Sequence, residues 1–278
     1  MKAYKVYIFL IVSSLLFSHT DTNTITLGRD NDPKTTSDIG IFKLLYKKSF
    51  WTVLSFLGPR NVARLAYPNS ISSMDVENSV AFTIDDGFCG LDNPDGDMTE
   101  DVRLLLDKYN ANATFFISGT HCAHTRKDDV LKLLNDGHEL ANHNLYDIPY
   151  DNYSIQDFEN DLIMTKNILY RYTPKLSKWY RAPHASINAS MHEVIKKNNL
   201  VHVIGDSFAN DTSIPDAKWI SDFILKRVKP GSIIIIHMPE RGVREWNYEA
   251  MELILIGLNN MNLNILNLTE LSNLELNN

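Results

Sequence analysis

The sequence predicts an α/β fold built on a mostly parallel sheet that is buried on both faces or closed into a barrel. Three observations predict it. From Ser79 onward, apolar runs of strand length alternate with helix-length stretches, the pattern of parallel strands joined by helical crossovers. The run Ile233-Ile234-Ile235-Ile236 shows no polar alternation, as expected of a strand covered on both sides. Ionisable residues gather where the apolar runs end, and parallel barrels place their chemistry at the carboxyl ends of strands.

The elements follow in chain order. Lys2 and Lys5 precede an apolar and small-residue run from Val6 to Phe17, which polar Ser18-His19-Thr20-Asp21 ends. A basic start, a short apolar core and a polar boundary read as a secretory signal over residues 1–20. The run is shorter than the roughly 20 apolar residues of a membrane span; an uncleaved signal anchor is the second reading. Residues 21–77 form a polar lead and then a helical preface. Ile41, Leu44, Leu45, Phe50, Val53, Leu54 and Leu57 recur at helical spacing until Gly58-Pro59 interrupts them, and Val62, Leu65 and Ala66 resume it as far as Pro68. This preface is expected to pack on the main domain, residues 78–275. A membrane-hugging segment carrying Lys43, Lys47 and Lys48 is the alternative.

Within the main domain, strands are predicted at 79–84, 113–117, 138–142, 178–181, 200–204 and 232–236. Helices are predicted at 98–109, 128–135, 154–171, 189–198, 216–228 and 247–260. A composition of 44% hydrophobic and 22% charged residues is that of an ordinary globular chain. The net charge of −7 argues against a nucleic-acid partner, which requires a basic footprint. Five Asn-x-Ser/Thr triplets, at Asn112, Asn152, Asn188, Asn210 and Asn267, are glycan acceptors in principle and agree with export. The cysteine pair, Cys89 and Cys122, leaves two states open: one disulfide in an oxidising compartment, or two thiols.

The strand ends carry the chemistry. The first gives Asp85-Asp86, the third Asn142-His143 with Asp147, the next Arg181-Ala182-Pro183, and the last His237. Adjacent carboxylates at the end of an apolar strand require a cation or a proton. On a pleated strand their side chains diverge, so each serves a different partner. His143 and Asp147 are four apart, so a helical turn would present both to one ion. Each feature alone has a bland reading, as a turn, a capping residue or a core histidine; their joint occurrence favours a reaction site.

Residues 78–275 resemble the polysaccharide deacetylases of carbohydrate esterase family four, whose domain is called NodB-homology. Thr83-Ile84-Asp85-Asp86-Gly87 is similar to the first motif, and Ala113-Thr114-Phe115-Phe116-Ile117 to the second strand. Gly137-His138-Glu139-Leu140-Ala141-Asn142-His143 resembles the approach to the metal. Arg181-Ala182-Pro183 resembles the Arg-x-Pro motif, and Gly231-Ser232-Ile233 through His237 the closing motif. The resemblance implies a distorted (β/α) barrel of the NodB-homology type with an N-terminal helical extension.

It also implies a reaction: hydrolysis of N-acetyl groups on an N-acetylglucosamine-containing, chitin-like polysaccharide, with release of acetate. One divalent ion, zinc foremost and otherwise cobalt, manganese or nickel, would be held by Asp86, His143 and Asp147. Asp85 would be the base, oriented by Arg181, and His237 the acid. Pro183 and the backbone N–H of His184 would serve the oxyanion. No obligate protein partner is implied. Cys89 and Cys122 would lie at the same end of neighbouring strands, which favours a disulfide between them.

Several positions depart from the family pattern. Asp147 stands where a second metal histidine is usual, so a divalent ion with two carboxylates and one neutral imidazole gives a neutral site. Such a site acidifies water less and accepts harder metals than zinc. Phe88 replaces a common Pro, and His184 a common Tyr. The later Asp-Trp motif is degenerate, with Asp206 and Asp211 both available; Asp211 is expected to support Arg181. Hydrolysis of another linear or cyclic amide, or glycan binding without catalysis, are the competing functions. Trp179, Trp219 and Trp246 are the candidates for a sugar-binding groove.

Overall fold

The structure is a computed structural model, and it describes residues 41–54 and 58–276. The expected signal and the polar lead lie outside the described residues. Eight parallel strands form one sheet: β1 (Ser79–Gly87), β2 (Ala113–Ile117), β3 (Glu139–Asn142), β4 (Trp179–Tyr180), β5 (Val201–His202), β6 (Ser207–Phe208), β7 (Ile233–His237) and β8 (Asn264–Leu266). Their order is β5-β4-β3-β2-β1-β7-β6, with β8 pairing the start of β1. The sheet curls into a half-barrel. The helices are α1 (Ile41–Leu54), α2 (Pro59–Ala66), α3 (Thr99–Lys108), α4 (Lys127–Asn135), α5 (Ile155–Leu169), α6 (Ala189–Lys197), α7 (Ala217–Leu225), α8 (Trp246–Asn260) and α9 (Leu268–Leu276). No described helix is long and apolar enough to cross a membrane.

Every residue of β1 is buried, which is why its sequence lacks polar alternation. Alternation persists in side-chain size and chemistry. Val80, Phe82 and Ile84 join Phe115, Ile234, Ile236 and the apolar faces of α7 and α8 in the main core. Ala81 belongs to a second cluster with Phe116, Ala141, Trp179, Ile233 and Leu268 on the concave side. By the same period of two, Thr83 and Asp85 follow Ala81 inward, and His237 follows Ile233 and Ile235. The concave face is therefore apolar at its base and polar at the strand tips.

The open edge is bridged near the base by residues 71–74. Ile71 donates its N–H to His202 and accepts that of Ile204, while Met74 donates to Gly231 O at 2.9 Å. Gly231 has φ 75°, and a Cβ there would sit 1.9 Å from Met74 O, so only glycine permits this approach. The preface docks beside it. Trp51 of α1 meets Phe208 and Phe223 edge-on at 6.0 and 6.3 Å. Lys48 pairs with Asp216, and Arg60 of α2 pairs with Asp206 at 2.6 Å. Packing of the preface on the domain is thus observed, although Leu45, expected on the packed face, is exposed. Trp51 takes the contact instead.

His138 is buried before β3, where its Nδ1 accepts the Ala113 N–H at 3.1 Å. Burial pushes its pKa down to about 4 from 6.5. Between those values the unfolded chain binds the extra proton, so stability is full above 6.5 and falls as pH drops towards 4, by as much as about 3 kcal/mol. His138→Asn keeps an acceptor for Ala113 and should flatten that part of a denaturant-derived stability curve.

Candidate active site

Asp85 and Asp86 end β1, both buried. Asp86 has φ 58°, and the pairing of β1 with β2 shifts register between Ile84 and Gly87. A left-handed residue at a bulge breaks the alternation of a strand, so the two carboxylates share one strand tip while keeping separate partners. Asp85 accepts from Arg181 Nη1 at 2.5 Å. That guanidinium also donates to Thr83 Oγ1 at 2.8 Å and to Val203 O at 3.3 Å, and lies 4.0 Å over the Phe116 ring. A buried Arg fixed on four sides gives Asp85 one orientation.

His143 follows β3 directly. Its Nδ1–H donates to Arg181 O at 2.8 Å, because a carbonyl only accepts, and this leaves the lone pair on Nε2. That Nε2 lies 3.6 Å from Asp86 Oδ1. Asp147 reaches the same place by a bend, not by the expected helical turn. Asn144 takes φ 64°, outside the right-handed helical region, and donates its N–H to Asn142 Oδ1 at 2.8 Å. Gly119 and Thr120 then donate to Asn144 O and Leu145 O at 2.9 and 3.0 Å and anchor the loop. Asp86, His143 and Asp147 each offer one atom, all within 4.8 Å of one another. Two carboxylates and one imidazole lone pair around a point fit a divalent ion, with coordination positions to spare.

His237 is the register partner of Asp85 on the adjacent strand. Its backbone N–H donates to Asp211 Oδ2 at 2.8 Å and its Nδ1 to Asp211 Oδ1 at 2.9 Å. The expectation that Asp211 supports Arg181 is therefore corrected: Asp211 holds His237. Arg181 bonds Asp85, Thr83 and Val203 through Nε and Nη1, and Asp211 follows β6 on the far side of β7. Asn247 donates to Asp211 Oδ2 at 3.0 Å, and Trp246 Nε1 to Asp211 O at 2.8 Å. Burial works against a charged pair, yet the Asp211 carboxylate raises the His237 pKa to about 9, and His237 in turn lowers that of Asp211. Asp206, the other candidate, bonds Arg60 and the Ile233 N–H.

Pro183 is buried and opens a short 3-10 turn in which His184 has φ 52°. No hydrogen bond among the described residues takes the His184 N–H. Its imidazole Nε2 lies 3.3 Å from Asp147 Oδ1. Partial burial opposes protonation there, but Asp147 and then Asp86 raise its pKa to about 9.

Other expectations are revised. Cys89 and Cys122 are both buried and form no disulfide. Cys89 Sγ faces Asn93 O at 2.9 Å, whereas Cys122 sits among the apolar core residues, where burial pushes its thiol up to about 12. Of the three tryptophans, Trp179 is buried and so cannot face a sugar, while the half-buried Trp219 stacks on Phe223 and Trp246 supports Asp211. Among the triplets, Asn267 is buried and donates to Gly137 O at 3.0 Å. Sequence reasoning missed Asn247 and Arg244. Arg244 Nη1 donates to Asp86 Oδ2 at 3.0 Å, and no spacing rule in the sequence links a loop after β7 to the tip of β1.

The polysaccharide deacetylase family model matches residues 73–203. A peptidoglycan-N-acetylglucosamine deacetylase of Bacillus cereus is 29% identical over 164 residues, 58% of this chain and 73% of the relative. A solved peptidoglycan N-acetylglucosamine deacetylase superposes with a TM-score of 0.64 at 24% identity, covering 75% of this chain and 95% of that one. A family-four pseudoenzyme from Bacillus anthracis shares the fold at 18% identity and a TM-score of 0.60, over 70% of this chain and 65% of its own. With the curled parallel sheet and its strand-tip residues, these matches identify residues 73–203 as a stretch that matches the polysaccharide deacetylase family.

Proposed function

We propose that the chain is an exported, metal-dependent deacetylase acting on N-acetylglucosamine units of a chitin-like polysaccharide. The convergence of Asp86, His143 and Asp147 between the Asp85–Arg181 pair and the His237–Asp211 pair carries this reading. A divalent ion bound by those three residues supplies Lewis-acid polarisation of the amide carbonyl and acidifies water. Asp85, aimed by Arg181, takes the proton of the attacking water. The His184 N–H stands ready for the developing oxyanion. His237, kept protonated by Asp211, gives its proton to the departing sugar amine, and acetate leaves.

The experiment is release of acetate from chitin-type oligomers and, separately, from peptidoglycan, with and without chelator. Chelator-sensitive release from the first substrate is expected. Release from peptidoglycan alone would replace the substrate, and no release with any divalent metal from folded protein would overturn the reading. The altered ligand Asp147 favours one second reading, a glycan binder without turnover; saturable binding of oligomers with no acetate would support it.

The acid pair makes its own prediction. His237 acts while protonated, so turnover is lost as pH rises through its pKa. Asp211→Asn removes the charge that raises that pKa, and the alkaline limb of kcat should move down by about one to three pH units. A limb that stays in place would exclude His237 as the acid.

A further inference from the structure

The strand tips bring together four buried or half-buried carboxylates, Asp85, Asp86, Asp147 and Asp211. Arg181 answers Asp85. The second guanidinium is Arg244, which comes from a loop without a motif and is 1% exposed.

The loop is built to place it. Glu240 and Val243 exchange both backbone hydrogen bonds at 2.9 Å, closing a tight turn after β7. Glu240 is fully buried and accepts from the Gly90 N–H at 3.1 Å and from Asn93 Nδ2 at 3.0 Å, in the loop that follows β1. Arg241 ties the same turn down through Gly96 O at 2.9 Å and Asp101 at 2.6 Å. Arg244 itself has φ 54°, a conformation that non-glycine residues adopt only where the surroundings impose it.

Its side chain divides the oxygens of Asp86. Nη1 of Arg244 bonds Oδ2 at 3.0 Å, while Oδ1 lies 3.6 Å from His143 Nε2. The field of the guanidinium extends to Asp211, whose pKa it helps to hold down after His237. Burying a guanidinium costs several kcal/mol unless opposite charge repays it, so a cation placed here at that cost acts on the carboxylates around it.

We propose that Arg244 is a positioning residue that sets the coordination mode and the net charge of the metal site. It holds Oδ2 of Asp86 and so restricts the orientation in which that carboxylate can meet an ion. Its fixed charge, with the His184 imidazole beside Asp147, offsets the negative charge that Asp147, standing in place of a neutral histidine, adds to the site. For turnover this inference rests on the deacetylase reading; for metal affinity it rests on the three ligands alone.

The test uses the full chain and zinc ion alone, titrated calorimetrically into metal-free protein, alongside acetate release. Arg244→Gln keeps a donor for Asp86 but removes the charge. Loss of a neighbouring cation should tighten zinc binding about three- to tenfold, while kcat falls about tenfold or more and KM moves less. Arg244→Lys restores the charge and should bring both values back towards those of the unsubstituted protein. A merely structural residue would give weaker zinc binding together with lower kcat in both variants, and that result would overturn the inference, as would no change in either. If Arg244→Gln does not fold, Arg244→Lys decides: retained zinc affinity with most of kcat supports the assignment, and loss of either refutes it. An unsubstituted protein that binds no zinc refutes the metal site and this inference together, whereas one that binds zinc and turns over beside unaffected variants refutes this inference alone.

Discussion

Asp85→Asn should lower turnover by about 10²–10⁴-fold while divalent metal remains bound. The substitution isolates proton transfer from architecture. Arg181 is buried and donates to Asp85, Thr83 and Val203; an asparagine oxygen preserves the first of these bonds, whereas alanine would leave a buried cation unanswered, at about 3–5 kcal/mol. The metal ligands are other residues, so metal content should match that of the unsubstituted protein by elemental analysis. Full activity in Asp85→Asn would remove Asp85 from the reaction.

Asp147→Ala should have the opposite signature. Of the three converging groups, Asp147 is held by the least regular backbone, a bend that hangs from Asn142, Gly119 and Thr120. Deleting its carboxylate leaves one oxygen and one nitrogen ligand, and metal affinity should fall more than about 100-fold, beyond the 10- to 100-fold that outer contacts alone cost. Turnover should vanish at low metal and partly return at high metal. Unchanged metal content in the purified variant would show that Asp147 is no ligand.

The comparison of sequence with structure separates two kinds of information. The long strands and helices were legible because burial on both faces writes itself as uninterrupted apolar runs, as at Ile233–Ile236. Strand-tip chemistry was legible for the same reason: a charged residue that directly follows such a run stands out. Two-residue β6, three-residue β8 and the closing helix α9 escaped prediction, whereas equally short β4 and β5 were found because longer apolar stretches surround them. Partnerships between loops were illegible. Asp211 could be picked out as a site residue, but whether it serves Arg181 or His237 depends on which side of β7 its loop falls. The four-residue spacing of His143 and Asp147 suggested proximity and also suggested a helix; the fold brings the two side chains together without the helix, since spacing limits distance without fixing the path between. Proximity of the strand tips likewise suggested a disulfide, yet the two sulfurs face different neighbours.

The register of β1 against β7 has an evolutionary corollary. Asp85 and His237 stand opposite one another on adjoining central strands, the part of the molecule least able to drift without loss of the core. Their separation is inherited from backbone pairing and needs no hinge or closing segment to assemble it. Connecting loops, by contrast, tolerate insertion and replacement. On such a scaffold the loops can change while Asp85 and His237 keep their places, so that under the proposed function the substrate can vary without the acid–base pair.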